Sequence, residues 1–177
     1  KTAYEIYQCD WSSDVCCSDL VGTLQLQSGL TLSGTTTFTS DALINGVTVG
    51  IGPGTSGNNV GLGAQFLYVN TTGYCNTAIG DYSLFSNSSG YQNTAVGNSA
   101  LGSNTTGGDN TAVGYYSLLS TTGVGNSAFG SNSLVNNTTG SENVAVGLRS
   151  LYSNTTASYN TAVGYQAGYT QTGDHKI

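Results

Sequence analysis

The side chains that could do chemistry here are few, and the ones that recur do so at a fixed spacing. Asn70, Asn87, Asn104, Asn136, Asn137 and Asn154 each open an Asn-x-Ser/Thr sequon, the acceptor pattern for N-linked glycans. These corners return every coil of the repeat described below, which would set them in one stripe. Two readings compete. One is a glycosylated stripe coating a filament. The other is turn chemistry, because Asn-Thr-Thr-Gly closes a turn well with no modification. A hydroxyl ladder at Thr71, Thr105 and Thr138 raises the idea of water ordering and ice binding, but Ser88 interrupts it and no Thr-x-Thr face is apparent.

Catalytic chemistry has little to work with. His175 is the only histidine, and nine acids are scattered without a defensible pairing. Asp81 and Asp109 occupy different places in their repeats, and no Gly-Gly-x-Gly-x-Asp calcium pattern is present. Cys75 stands alone once the N-terminal cysteines are set aside. We therefore expect no enzyme, no catalytic residue, no metal and no cofactor. The net charge is −6 and the only bases are Lys1, Arg149 and Lys176, so no nucleic-acid partner is expected. No stretch approaches the ~20 apolar residues of a membrane helix, so no membrane insertion is expected either.

The elements that must position these residues are tandem units. Asn starts a unit at 59, 76, 93, 110, 126, 143 and 160, at spacings of 17 residues with one of 16. Four residues later comes Gly63, Gly80, Gly97, Gly114, Gly130, Gly147 or Gly164. Before each glycine is an apolar residue: Leu62, then Ile79, Val96, Val113, Phe129, Val146 and Val163. Ala precedes that residue in all units but the first, which has Gly61. Four residues beyond the glycine stands Leu67, Leu84, Leu101, Leu118, Leu134 or Leu151, with Gly168 in the last unit. Such a period signals a repeat architecture. Internal glycine beside β-branched residues disfavours helix.

The expected fold is all-β: a repetitive parallel β-roll or β-helix of 17-residue coils, as an intertwined homotrimer. Each coil reads as two short strands, around "TAVG" and around "YSLL", joined by a bend and an Asn/Thr/Gly corner. The Ile79–Val163 and Leu67–Leu151 series are expected to stack as two apolar columns inside the coil, with Ala on the tight side. The glycines are expected at positive φ or at a close backbone approach. Stacked asparagines can bond one another up a column. A further column, Tyr68, Phe85, Leu119, Val135, Tyr152 and Tyr169, suits either a threefold interface or a Tyr-rich outer face.

Three segments follow. Residues 53–177 form the solenoid of seven repeats, expected to be cut short at the C-terminus. Residues 21–52 are a β-rich neck, in which Leu24, Leu26, Leu30 and Leu32 alternate with polar residues. Residues 1–20 differ in kind: "DWSSDVCCSDL" (Asp10–Leu20) resembles the in-frame translation of a common sequencing adapter and departs from it only at Cys17. They are either an assembly artefact or a Cys-rich N-terminal cap.

"NTAVGYQAGYTQTG" (Asn160–Gly173) and the "NTAVG…SNTTG" units resemble repeats of phage tail-fibre proteins, including ones that end in an endosialidase-type chaperone domain. "SDALINGVTVG" (Ser40–Gly50) looks like the segment preceding such repeats. The units also resemble, less closely, the YadA-like head repeats of trimeric autotransporter adhesins, which have a shorter unit. Both resemblances imply an extracellular homotrimer on a virion or cell surface, used for reach and attachment. The partners so implied are the chain itself, as a trimer or an end-to-end filament, and a cell-surface glycan for exposed tyrosines such as Tyr115, Tyr116 and Tyr165.

Overall fold

The computed structural model describes residues 42–44, 47–52 and 57–174. Residues 1–20, the neck up to residue 41, Pro53 and His175 lie outside the described residues. Nine strands form one sheet in chain order, and no helix occurs among the described residues. The first two are β1 (Ala42–Ile44) and β2 (Val47–Gly50), an antiparallel pair joined by the two residues Asn45-Gly46, a favoured hairpin dipeptide. β2 pairs antiparallel with β3 (Val60–Gly63), so the hairpin lies along the first strand of the repeats.

From β3 onward all pairing is parallel. The strands are β4 (Thr77–Ile79), β5 (Thr94–Val96), β6 (Thr111–Val113), β7 (Ser127–Phe129), β8 (Val144–Val146) and β9 (Thr161–Val163). Each residue pairs with its equivalent one coil away, as Ala78 with Ala95 and Ala95 with Ala112. The chain is thus an all-β solenoid of 17-residue coils, in which seven strands are linked by six turns. At ~4.8 Å per strand the stack rises about 34 Å.

Each coil contains one strand rather than the two expected. The "YSLL" segment is a run of turns, because its leucine is left-handed. Leu67, Leu84, Leu101, Leu118, Leu134 and Leu151 have φ between +46° and +51°. Two other positions per coil share this region, as Tyr82 and Gln92 do. Each such non-glycine residue costs on the order of 1 kcal/mol. Bonds between coils hold them there: Tyr82 N–H donates to Ala64 O at 2.9 Å and Leu84 N–H to Ala100 O at 3.1 Å. The glycine before the turn meets both conditions expected of it, except that Gly164, in the last coil, has no close backbone neighbour. Gly63, Gly80, Gly97, Gly114, Gly130, Gly147 and Gly164 have φ from +124° to +138°. A Cβ on Gly114 would lie 2.7 Å from the backbone of Gly130.

The interior also differs from expectation. The leucine column is buried, but its partner across the coil is alanine. Ala78, Ala95, Ala112, Ala128 and Ala145 are fully buried. The Ile79, Val96, Val113, Phe129, Val146 and Val163 series points outward; Ile79 is 37% exposed and Val163 69%. Parity explains the reversal. Side chains alternate faces along a strand, and the asparagine before each strand points in. Thr77 therefore faces out, Ala78 in and Ile79 out. The gap between strand and turn admits a methyl group opposite a leucine and nothing larger.

The first coil breaks this pattern in a compensated way. Gly61 stands where the others have Ala, and Phe66 stands where they have Ser or Ala. The Phe66 ring fills the space of the missing methyl: a Cβ on Gly61 would come within 2.7 Å of its Cγ. Phe66 is 3% exposed and plugs the core at the hairpin end.

Candidate functional site

Two columns of asparagine run through the interior. The first is Asn59, Asn76, Asn93, Asn110, Asn126, Asn143 and Asn160, all buried. Each side-chain oxygen accepts the backbone N–H of the next asparagine in the column, at 2.9–3.1 Å. Side-chain amides also donate up the column, as Asn93 Nδ2 does to Asn76 Oδ1 at 3.1 Å. The second amide hydrogen goes to a corner carbonyl, as from Asn93 to Gly107 O at 2.8 Å and from Asn126 to Gly140 O at 2.9 Å.

The second column consists of sequon asparagines, and their burial favours the turn reading over the glycosylated stripe for most of them. Asn70, Asn87, Asn104, Asn137 and Asn154 are buried, none more than 3% exposed. Their Nδ2 atoms, where a glycan would attach, are engaged. Asn104 Nδ2 donates to Asn87 Oδ1 at 2.8 Å and to Gly107 O at 3.1 Å, and Asn154 Nδ2 donates to Ala157 O at 3.0 Å. A glycan cannot be accommodated there without opening the coil. Only Asn136 is exposed, with Nδ2 bonded to Tyr152 O at 2.8 Å.

Both columns converge on the same corner oxygens: Gly107 O accepts from Asn93 and from Asn104. The second column is interrupted at Thr121, in the 16-residue unit. Thr121 Oγ1 accepts from Asn137 Nδ2 at 3.3 Å and from Gly123 N at 3.0 Å, but a hydroxyl cannot reproduce both amide donations. Among the described residues no buried side-chain nitrogen or oxygen lacks a partner. The corner hydroxyls of Thr71, Ser88, Thr122 and Thr138 are likewise spent, donating to the carbonyl one coil on at 2.9–3.2 Å.

Among the described residues the interior is built of amides, hydroxyls, methyls and leucines, and its hydroxyls and amides are engaged in hydrogen bonds. Among the described residues no group of three His, Cys, Asp or Glu is placed to hold a metal. What the coil presents outward is therefore the surface to consider. One face is the sheet, with Thr77, Thr94 and Thr111 in one column and Ile79, Val96 and Val113 in the next, in register. Another carries the aromatic column. Tyr68 and Phe85 stack at 5.2 Å and Tyr152 and Tyr169 at 4.9 Å, each pair within 1° of parallel. Each ring covers one face of its partner. Tyr115 and Tyr116 meet at 4.1 Å and a tilt of 51°. Their mutual hydrogen bond, with some desolvation, raises the Tyr115 phenol above its ordinary pKa. Tyr165 is 70% exposed and Cys75 is an exposed free thiol.

Sequence reasoning anticipated bonds between stacked asparagines but not that they point inward, and it missed the outward valines. The signal was in the units themselves. The residue before each glycine ranges in size from Val to Phe, which only an open face tolerates. The Asn and Ala positions barely vary, as a tight interior requires. Compared with protein-family models, curated proteins and solved structures, the chain matches none.

Proposed function

We propose that this chain is a shaft segment of an extracellular fibre, of the phage tail-fibre kind, that holds a receptor-binding part at a distance. Its mechanism is mechanical. The observation that carries this reading is the asparagine ladder of the interior: one column runs unbroken from Asn59 to Asn160, and a second runs beside it, broken only at Thr121. Each repeat contacts its neighbours alone, so length grows by adding units. The likeness of the "NTAVG…NTTG" units to tail-fibre repeats supports the same reading, and with it goes a virion or cell-surface location and a homotrimeric state. Immunogold labelling with an antibody against residues 59–174 tests it. Label along filamentous appendages of particles or cells is the expected outcome. Label confined to the cell interior would sink it.

A second reading is a carbohydrate-binding adhesin. It is favoured by Tyr115 and Tyr165, 50% and 70% exposed in one outward column. Aromatic faces open to solvent can stack on sugar rings. Glycan-array binding that is lost in a Tyr115→Ala/Tyr165→Ala variant would support it; silence on the array leaves the shaft.

A further inference from the structure

We propose that the Thr/Val sheet face is the surface through which copies of this chain pack side by side. The inference rests on the shaft reading and supplies its partner and its contact face. The face is the outer side of β3–β9. Its two columns contain no charged residue at any of the seven levels, and one of them is apolar throughout. The core does not require this: Ala and Leu already close the coil. An apolar residue at every level of an exposed face is what an interface needs and what a solvated face does not.

The repeat selects the occupant. A partner must match a rise of ~4.8 Å over every coil, and another copy of the same array does so by construction. With two outward columns roughly 7 Å apart, two such sheets can pack at about 10 Å, with methyl groups between them. A salt-dependent partner has no charge to find on these columns. A sugar finds no ring face on them apart from Phe129, 41% exposed.

Size sets the strength. A strip about 34 Å by 10 Å covers roughly 340 Å², against about 800 Å² per partner in a standard interface. Each added coil contributes about 50 Å² more. Association of this chain is therefore concentration-dependent and strengthens with coil number.

Sedimentation velocity of the full chain over a wide concentration range tests this. The expected result is a mass of two or three chains that dissociates on dilution. Val96→Lys/Val113→Lys should reduce it to one chain with an unchanged circular dichroism spectrum. Tyr152→Lys, on the aromatic column, should leave association intact. If the lysine pair unfolds the coil, Val96→Thr/Val113→Thr keeps the β-branched shape and should still weaken association. A monomer at every concentration, or association lost with Tyr152→Lys and kept with the lysine pair, would overturn the proposal. Rod length from small-angle scattering separates the two ideas: monomeric rods of undiminished length remove this interface and leave the shaft, whereas a compact particle removes both.

Discussion

Replacing Asn93 by alanine probes the interior most sharply. Its side chain makes three bonds: Nδ2 to Asn76 Oδ1, Nδ2 to Gly107 O, and Oδ1 from Asn110 N. After truncation Asn76 Oδ1 still accepts the Asn93 backbone N–H, and Gly107 O still accepts from Asn104. Asn110 N–H is orphaned. An unsatisfied buried donor costs about 1–3 kcal/mol, and each net hydrogen bond lost about 1. With a small cavity added, the total is about 3–5 kcal/mol. Asn93→Asp is the sharper variant, because it keeps the shape and replaces a donor by an acceptor facing Asn76 Oδ1 and Gly107 O. One carboxylate oxygen keeps the Asn110 N–H as donor, but the other is buried against two acceptors, and this raises the folded-state pKa of that aspartate above its unfolded value of about 3.9. The folded state then binds more protons than the unfolded, so stability of this variant falls as pH rises and recovers on acidification. Urea denaturation followed by circular dichroism at pH 3 and pH 7 measures both effects. Asn98→Ala, on an exposed residue whose side chain accepts only the Ser99 hydroxyl, is the control and should stay within ~0.5 kcal/mol. An Asn93→Ala cost below about 1 kcal/mol would refute the reasoning, as would an Asn93→Asp variant equally stable at both pH values.

Glycines at like φ should respond unequally to alanine. Gly114→Ala drives a Cβ against the Gly130 backbone and should prevent stacking there, whereas a Cβ on Gly164 meets only Ala167 at 3.9 Å and Gly164→Ala should cost little beyond its backbone strain of about 1–3 kcal/mol; thermal melts of both variants compare them. Gly61→Ala should destabilise by colliding with Phe66, and Phe66→Ser should open a cavity worth about 3 kcal/mol or more. The double variant restores the pattern of the other coils, so a double-mutant cycle should show a coupling of 1 kcal/mol or more, on the order seen for residues in contact. Exposed to an oligosaccharyltransferase after folding, the protein should gain at most one glycan, at Asn136, by intact mass; occupancy of Asn104 or Asn154 would contradict their burial.

The period, the strand at "TAVG", the parallel stacking and the leucine column were all legible in the sequence, because a strict spacing of identical residues leaves few architectures open. What was misread followed from treating hydrophobicity as a guide to direction. In a three-residue strand the side of each residue is decided by parity from one anchor. That anchor is a buried asparagine, a residue ordinarily found at the surface. Taking Val96 as inward conflicts by parity with an inward Ala95 on the tight side, and the buried Asn93 decides between them. The second strand failed for a different reason. "YSLL" reads as extended, yet Leu118 sits at φ +47°, a conformation imposed by bonds to adjacent coils that no single unit contains. The sequons misled because Asn-Thr-Thr-Gly serves two chemistries, and only the burial of Asn104 and its neighbours separates them.

The central claim is that length is assembled one self-similar coil at a time. Deleting residues 93–109 removes one 17-residue unit and joins Gln92 to Asn110, as Gln92 is now joined to Asn93. Small-angle scattering or electron microscopy of the deleted and parent proteins then measures the rod. The account predicts a folded rod shortened by about 4.8 Å per deleted coil, with Asn76 paired to Asn110 across the junction. A protein that unfolds on losing one coil, or a rod whose length does not change, would contradict it.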